Sequence, residues 1–236
     1  MDELRHFAIV VAAGKGLRMG SKTKKQYLHL DGIPILARTV MVFDTCEHVH
    51  EIILVVPRGD EVYCKSRIVE PYGFKKKIHL VEGGKERQHS VLNALIHIRD
   101  KINGEKKAIV MIHDGVRPFV NQNMIKECIQ NAIEYGACIP AVKITDTVKE
   151  VSGGLVIQKT VNRENLYKAQ TPQTFKLDLL LRAFDHAIKT SFSGTDDASL
   201  VEHLGHKVVI IKGFKPNIKI TTPEDLALGE QLLPII

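Results

Sequence analysis

The chain has 236 residues, 44% hydrophobic and 25% charged, with a formal net charge of +6. That suffices for one large α/β domain with a sizeable core, and the charged fraction is that of an ordinary globular protein rather than a disordered one. No apolar run reaches membrane-spanning length, and Met1–His6 leads into no long apolar segment, so neither a spanning helix nor a signal peptide is expected and the reading is cytoplasmic, with no membrane partner.

The positive charge is dispersed. Its clusters are Lys22/Lys24/Lys25, Lys75–Lys77 and Lys106/Lys107, with no interleaved aromatic platform and no single basic helix, so no nucleic-acid partner is expected; a small polyanionic ligand explains the surplus as well as a nucleic acid would. Cys46, Cys64, Cys128 and Cys138 have no zinc or redox spacing and none is a strong nucleophile candidate; Cys128, on an apolar helix face, and Cys138, in an apolar run, read as core residues.

Along the chain, β-type apolar runs alternate with helical patterns. Phe7–Val11 is a strand, followed by a glycine-rich loop. Tyr27–Leu30 is short and alternating, Asp31-Gly32 turns, and Pro34 opens a helix through about Phe43. Ile52–Val56 is a strand, Glu61–Val69 a helix, Ile78–Val81 a strand, Ser90–Ile102 a helix and Ala108–Ile112 a strand. Met124–Tyr135 is a helix stopped by Gly136. This alternation predicts an α/β fold, a Rossmann-like, mostly parallel sheet with helices on both faces.

From Thr145 to Lys168 the pattern turns polar and alternating around Ser152-Gly153-Gly154, which predicts a projecting β-hairpin arm with no core of its own. Helices follow at Leu177–Ile188 and Asp197–Leu204, and strands at Lys207–Ile211 and Ile218–Ile220. Thr222-Pro223-Glu224-Asp225 opens the last helix with a cap, a first-turn proline and two acids. No linker or repeat divides the chain, so a single domain over 1–236 with an arm at about 145–168 is expected.

The loop after the first strand carries Ala12, Ala13, Gly14, Gly16 and Gly20 with Arg18 and Lys25 beside it. Small residues let backbone N–H groups approach a bound group, and the cations suit a phosphate. The loop is not a P-loop, because no Gly-Lys-Ser/Thr follows. Nor is it the dinucleotide fingerprint: its third glycine comes one residue late, and Ile53–Val56 runs into Pro57 and Arg58 instead of an acid.

Ligands in open α/β sheets sit beyond the carboxyl ends of the strands. The other polar motifs follow strand ends too: Gly83-Gly84-Lys85-Glu86-Arg87 with Ser90, and His113-Asp114-Gly115-Val116-Arg117-Pro118, with Lys219 near the C-terminus. These pieces suit displacement at a nucleotide α-phosphate, where catalysis rests on fixed positive charge, a metal and positioning. Asp114 is the natural Mg²⁺ carboxylate, since Mg²⁺ uses few protein ligands. His113 reads as structural, because a phosphate nucleophile is already ionised.

Taken together, Ala12-Ala13-Gly14-x-Gly16-x-Arg18-Met19-Gly20 and Lys25-Gln26-Tyr27-Leu28 resemble the signature of the sugar-nucleotide cytidylyltransferases. Further motifs narrow the resemblance: Gly83-Gly84-x-x-Arg87-x-x-Ser90-Val91, His113-Asp114-x-x-Arg117-Pro118, Asp146-Thr147-Val148-Lys149, Ala169-Gln170-Thr171-Pro172-Gln173, Thr195-Asp196-Asp197-Ala198-Ser199 and Asn217-Ile218-Lys219-Ile220-Thr221. The whole set is similar to the 2-C-methyl-D-erythritol 4-phosphate cytidylyltransferase family of non-mevalonate isoprenoid synthesis.

The resemblance implies transfer of CMP from CTP to a phosphorylated polyol with release of pyrophosphate. It implies that Arg18, Lys25 and Lys219 bind the triphosphate and stabilise charge at the α-phosphate. Ala12, Ala13, Gly14, Gly16, Gly84, Ser90, Asp114 and Gly115 would meet the nucleotide. Asp114, Arg117, Thr147, Arg163 and Thr171 would meet the second substrate, with Mg²⁺ at Asp114. It further implies a homodimer in which the arm carries Thr147 and Arg163 to the neighbour's site. Two positions depart from the family pattern: Lys85 stands where many relatives carry an acid, and Gly115-Val116 replaces a pair of alanines. Ribitol-5-phosphate cytidylyltransferase and a non-catalytic nucleotide-binding regulator are the alternatives. The Thr195–Ser199 motif and Gln26-Tyr27-Leu28 favour the methylerythritol family over the former, and the joint presence of Arg18, Lys25, Asp114 and Lys219 argues against the latter.

Overall fold

The structure is a computed structural model that describes residues 4–14, 24–102 and 107–235. Its strands are β1 (Arg5–Val11), β2 (His29–Leu30), β3 (Ile33–Pro34), β4 (Glu51–Val56), β5 (Lys77–Glu82), β6 (Ala108–Asp114), β7 (Ala137–Lys143), β8 (Val148–Val151), β9 (Ile157–Val161), β10 (Tyr167–Ala169), β11 (Gln173–Lys176) and β12 (Val209–Lys212). Its helices are α1 (Ile35–Thr45), α2 (Glu61–Cys64), α3 (Arg87–Lys101), α4 (Gln122–Tyr135), α5 (Leu177–Lys189), α6 (Asp197–His203) and α7 (Pro223–Leu232).

One main sheet runs β12, β7, β11, β6, β1, β4, β5, with β10 beside β11 on the same edge of β7. The β1, β4, β5, β6 pairings and the β12–β7 pairing are parallel, and only β10 and β11 run the other way. The fold is the expected Rossmann-like α/β type.

Strand alternation divides the core into two layers. Phe7, Ile9, Ile53, Val55, Val110 and Ile112 face α3, α5 and α6 through Leu95, Ile98, Leu180, Phe184 and Leu200. The intervening Ala8, Val10, Ile52, Leu54 and Met111 face α1 and α4 through Leu36, Val40, Phe43, Ile125 and Cys128. A sheet covered on both faces needs apolar residues at every strand position, which is why β4 and β6 are buried end to end. A smaller cluster of Leu30, Ile35, Phe119 and Ile220, joined by Leu226, seats α7 against β2.

Several local expectations shift. Pro34 sits one position ahead of α1, in the short β2–β3 pair. Lys25–Tyr27 forms a single 3₁₀ turn before β2. α2 continues into a wider π-type turn over Lys65–Val69. α3 starts three residues before Ser90, which brings Arg87 into its first turn. Ile218–Ile220 is not a strand: Ile220 N–H donates to Val116 O (2.9 Å), but side chains rather than a ladder hold the segment. α7 opens as expected, with Thr222 and Asp225 forming a reciprocal capping box.

Among the described residues β8 and β9 pair only with each other, as a separate two-stranded sheet. Tyr167 and Lys168, expected in the arm, belong instead to the main sheet through β10. No helix among the described residues is long and apolar enough to cross a membrane.

Candidate functional site

The registers place the polar motifs on one edge. Val11 lies opposite Asp114 and Val55, and Val56 opposite Glu82. Each following loop carries the ladder one residue further: Ala12 N–H donates to Val55 O (2.8 Å), Gly83 N–H to Val56 O (2.8 Å) and Gly115 N–H to Val11 O (2.9 Å). The loops after β1, β4, β5 and β6 therefore open onto one cleft of about 960 Å³. Its described lining includes Ala12, Ala13, Gly14, Lys25, Gly84, Ser90, Asp114 and Lys219, all singled out in the sequence. Gly16 and Arg18 lie outside the described residues.

The end of the cleft at the Gly83-Gly84 turn is built by close backbone approach. A Cβ on Gly83 would collide with Ala13 Cβ, and one on Gly84 with His89 Cβ. The Ser90 hydroxyl accepts from Gly84 N–H (3.0 Å) and donates to Glu86 O (2.9 Å), so its described contacts shape the turn. At Gly115 a Cβ would meet Leu36 Cδ1 at 2.8 Å and Ala12 Cβ at 3.1 Å. Leu36 fills the space an alanine would take, which gives the Gly115 departure a packing reason. Val116 lines the cleft beside it. Lys85 also lines the cleft and adds to its positive charge.

Asp114 is the electrostatic centre. Its Oδ2 meets Lys219 Nζ at 3.0 Å and Arg117 Nε at 3.1 Å, and its Oδ1 lies 3.7 Å from Arg87 Nε. Burial alone would push this carboxyl up, but Lys219, Arg87 and Arg117 hold it well below the usual carboxylate range, so it stays ionised. Arg87 also contacts Asp197 Oδ2 at 2.7 Å, linking the cleft to α6. Burial pushes the Asp197 carboxyl up against that opposing charge.

Amide side chains position these groups. Gln170 Nε2 donates to Phe214 O (2.9 Å) and its Oε1 accepts from Phe214 N–H (3.1 Å), while Asn217 Nδ2 donates to Thr171 O (2.8 Å). Arg117 Nη1 donates to Asn217 O (2.9 Å), so the segment leading to Lys219 is tied to the Asp114 loop. Gln173 Oε1 accepts from Asp197 N–H and Ala198 N–H, both at 3.0 Å, and seats the start of α6.

Thr171 is buried behind Asp114 rather than lining the cleft; its hydroxyl accepts from Asp114 N–H (3.2 Å) and lies 2.9 Å from His113 Nδ1. Arg117 likewise stands behind the cleft wall. Thr147 and Arg163 pair with each other at 3.4 Å, exposed at the root of the arm, and do not reach this chain's cleft. Sequence reasoning assigned no role to Arg58, Arg87 or Gln26, all of which line the cleft. The signal for Arg58 was present, since a cation follows β4 where a dinucleotide fold carries an acid. Arg87 lay inside the double-glycine motif.

Asp114 and Glu86 are the carboxylates of the described lining, and no group of three potential ligand side chains forms among the described residues. That donor set fits Mg²⁺ carried in by a nucleotide, which takes one or two carboxylates and completes its shell with phosphate and water.

Net positive charge around a cleft of this size, at the carboxyl edge of a parallel sheet, fits the nucleotidyltransferases as a class. The family model of 2-C-methyl-D-erythritol 4-phosphate cytidylyltransferase matches residues 6–234. The curated protein of that name from Alkaliphilus oremlandii is 47% identical over 225 residues, covering 95% of this chain and 93% of its own. The one from Geobacillus thermodenitrificans is 45% identical over 230 residues, covering 98% and 97%. Among solved structures, 4-diphosphocytidyl-2C-methyl-D-erythritol synthase from Anaerococcus prevotii superposes with a TM-score of 0.83 at 32% identity, covering 98% of this chain and 96% of its own. The Francisella tularensis 2-C-methyl-D-erythritol 4-phosphate cytidylyltransferase gives 0.81 at 31%, covering 96% and 99%. The chain belongs to the 2-C-methyl-D-erythritol 4-phosphate cytidylyltransferase family.

His113 is fully buried, with Nε2 3.0 Å from Arg117 O and its ring edge-on to Phe43. Burial pulls its pKa from 6.5 down to about 4. The fold therefore prefers the neutral ring. Its contribution is complete above pH 6.5 and is lost as pH falls toward 4, by up to about 3 kcal/mol in all. Urea unfolding between pH 4 and 6.5 should show a shallower loss of stability in His113→Gln than in the wild type. Equal slopes would contradict the buried neutral imidazole.

Proposed function

We propose that this enzyme transfers CMP from CTP to 2-C-methyl-D-erythritol 4-phosphate, releasing pyrophosphate. The observation that carries the reading is the convergence of Lys25, Arg87, Lys219 and the ionised Asp114 on one cleft at the strand ends, in a chain of this family. In the reaction an oxygen of the substrate phosphate forms a bond to the α-phosphorus of CTP while the bond to the bridging oxygen breaks. Pyrophosphate leaves with that electron pair. No general base is required, because the attacking phosphate is already an anion. What the protein must supply is charge stabilisation and alignment.

On this reading Lys25 and Lys219, with Arg18, neutralise the charge that builds at the α-phosphate. Ala12, Ala13 and the Gly83-Gly84 turn leave room for a pyrimidine ring and little more. Asp114 would hold Mg²⁺, and that ion would supply further positive charge to the phosphates when bound. Lys25→Ala should fold normally and lose turnover on the order of a hundredfold or more, because it removes a cation where charge develops. Pyrophosphate release from CTP and the methylerythritol phosphate measures this. Near-wild-type turnover, or equal kcat/KM with ATP, would overturn the assignment.

The arm suits a homodimer. Val151, Leu155, Val156 and Ile157 are exposed on a two-stranded hairpin that would be marginal alone in water. A partner covering them would place Thr147 and Arg163 against the neighbour's substrate, where a guanidinium can grip a phosphate through two hydrogen bonds. Thr171 would act there from behind Asp114, by fixing its backbone. Mixing Lys25→Ala with Arg163→Ala subunits should restore activity, because a mixed dimer with a crossed arm has one site carrying both defects and one carrying neither. No recovery after verified subunit exchange would count against the crossed arm.

A further inference from the structure

The cation at position 25 belongs to a turn clamped on both sides. Lys24 Nζ meets Asp60 Oδ1 at 2.7 Å and Oδ2 at 2.6 Å, and the Tyr27 hydroxyl donates to Asp60 Oδ2 at 2.8 Å. Tyr27 also lies 3.1 Å from Cys64 Sγ, and its ring packs on Tyr63 at 4.7 Å. Between them, Gln26 Nε2 donates to Ala12 O (2.8 Å) and Gly14 O (3.2 Å). Tyr27 N–H closes the turn on Lys24 O (2.9 Å). Asp60 is itself fixed: its N–H donates to Pro57 O (3.0 Å), and its carbonyl accepts from Cys64 N–H (2.8 Å) as α2 begins.

Asp60 lies outside the cleft lining, whereas Lys25 lies in it. The carboxylate takes the two ends of the turn, at positions 24 and 27 on either side of Lys25-Gln26, while Gln26 ties the same turn to the end of β1. A lysine stem has many rotamers and carries a point charge, so its value at a developing anion depends on where its backbone is held. We infer that Asp60 is a positioning residue that fixes the Lys24–Tyr27 turn so that Lys25 is aimed at the triphosphate. This rests on the cytidylyltransfer reading and adds a residue to it. The Lys24–Asp60 pair is partly exposed, 37% and 18% for the two side chains, so its effect on stability is small. Its effect on turnover is larger, because misplacement of about 1 Å can cost about a hundredfold.

The test is a double-mutant cycle on the full-length protein. Asp60→Asn should keep the wild-type melting temperature and lower kcat by roughly ten- to a hundredfold, with a smaller change in KM for CTP. In a Lys25→Ala background the same substitution should lower kcat no further. Tyr27→Phe and Lys24→Gln, which remove the contacts from the other side, should each give part of the loss and carry the test if Asp60→Asn folds poorly. Wild-type kcat in these variants, or the same fold-loss with and without Lys25, would overturn the clamp. CTP titration by calorimetry provides a second readout: a weakening in Asp60→Asn that disappears without Lys25 supports the clamp, and one that persists contradicts it. A wild-type protein that binds CTP but releases no pyrophosphate would fail the functional reading alone.

Discussion

The site depends on one carboxylate held ionised by three cations. Asp114 is buried, and Lys219, Arg117 and Arg87 surround it. These cations come from three separate parts of the chain: the start of α3, the loop after β6 and the segment before α7. A charge buried without partners would be expelled or neutralised. Bringing those parts together is therefore a condition for Asp114 to sit where it does. With Asp114 balanced by those cations, Lys25, Arg58 and Lys85 leave the described cleft lining net positive toward an incoming polyphosphate.

Around that centre the fold uses amides where a ladder would be too regular. Gln26, Gln170, Gln173 and Asn217 are buried and each ties a loop to a different element. A primary amide can donate and accept at once. Gln170 satisfies both the carbonyl and the N–H of Phe214, and Gln173 joins Asp196 to the start of α6, while Gln26 and Asn217 act through their donors. This explains how the Asn217–Lys219 segment is fixed without being a strand. Lys219 reaches Asp114 because Arg117 and Gln170 both bind the carbonyl of Asn217.

Much of this was legible in the sequence where burial and periodicity are strong. The fully apolar runs of β4 and β6 and the amphipathic faces of α4 and α5 announce themselves. β7 did not, because Pro140 interrupts its apolar run and argues against a central strand. It is tolerated where β7 meets β12 at Ile211. β10 and β11 are too short and polar to carry a period, and what fixes them is pairing with β6 and β7. Of the motif glycines and cations, the described Gly14, Gly83, Gly84, Lys25 and Lys219 line one cleft at the strand ends, as their positions after the strands suggested. The division of labour around it was not legible, since whether Thr171 or Arg117 faces the cleft or backs Asp114 depends on side-chain direction.

The role of this carboxylate is measured by the steady-state kinetics of Asp114→Asn across a Mg²⁺ titration, with the fold checked by circular dichroism. The substitution keeps the shape and removes the charge. The account predicts a folded protein whose pyrophosphate release falls on the order of a hundredfold, and whose remaining activity needs more Mg²⁺ for half-saturation. Turnover and Mg²⁺ dependence indistinguishable from the wild type would contradict it.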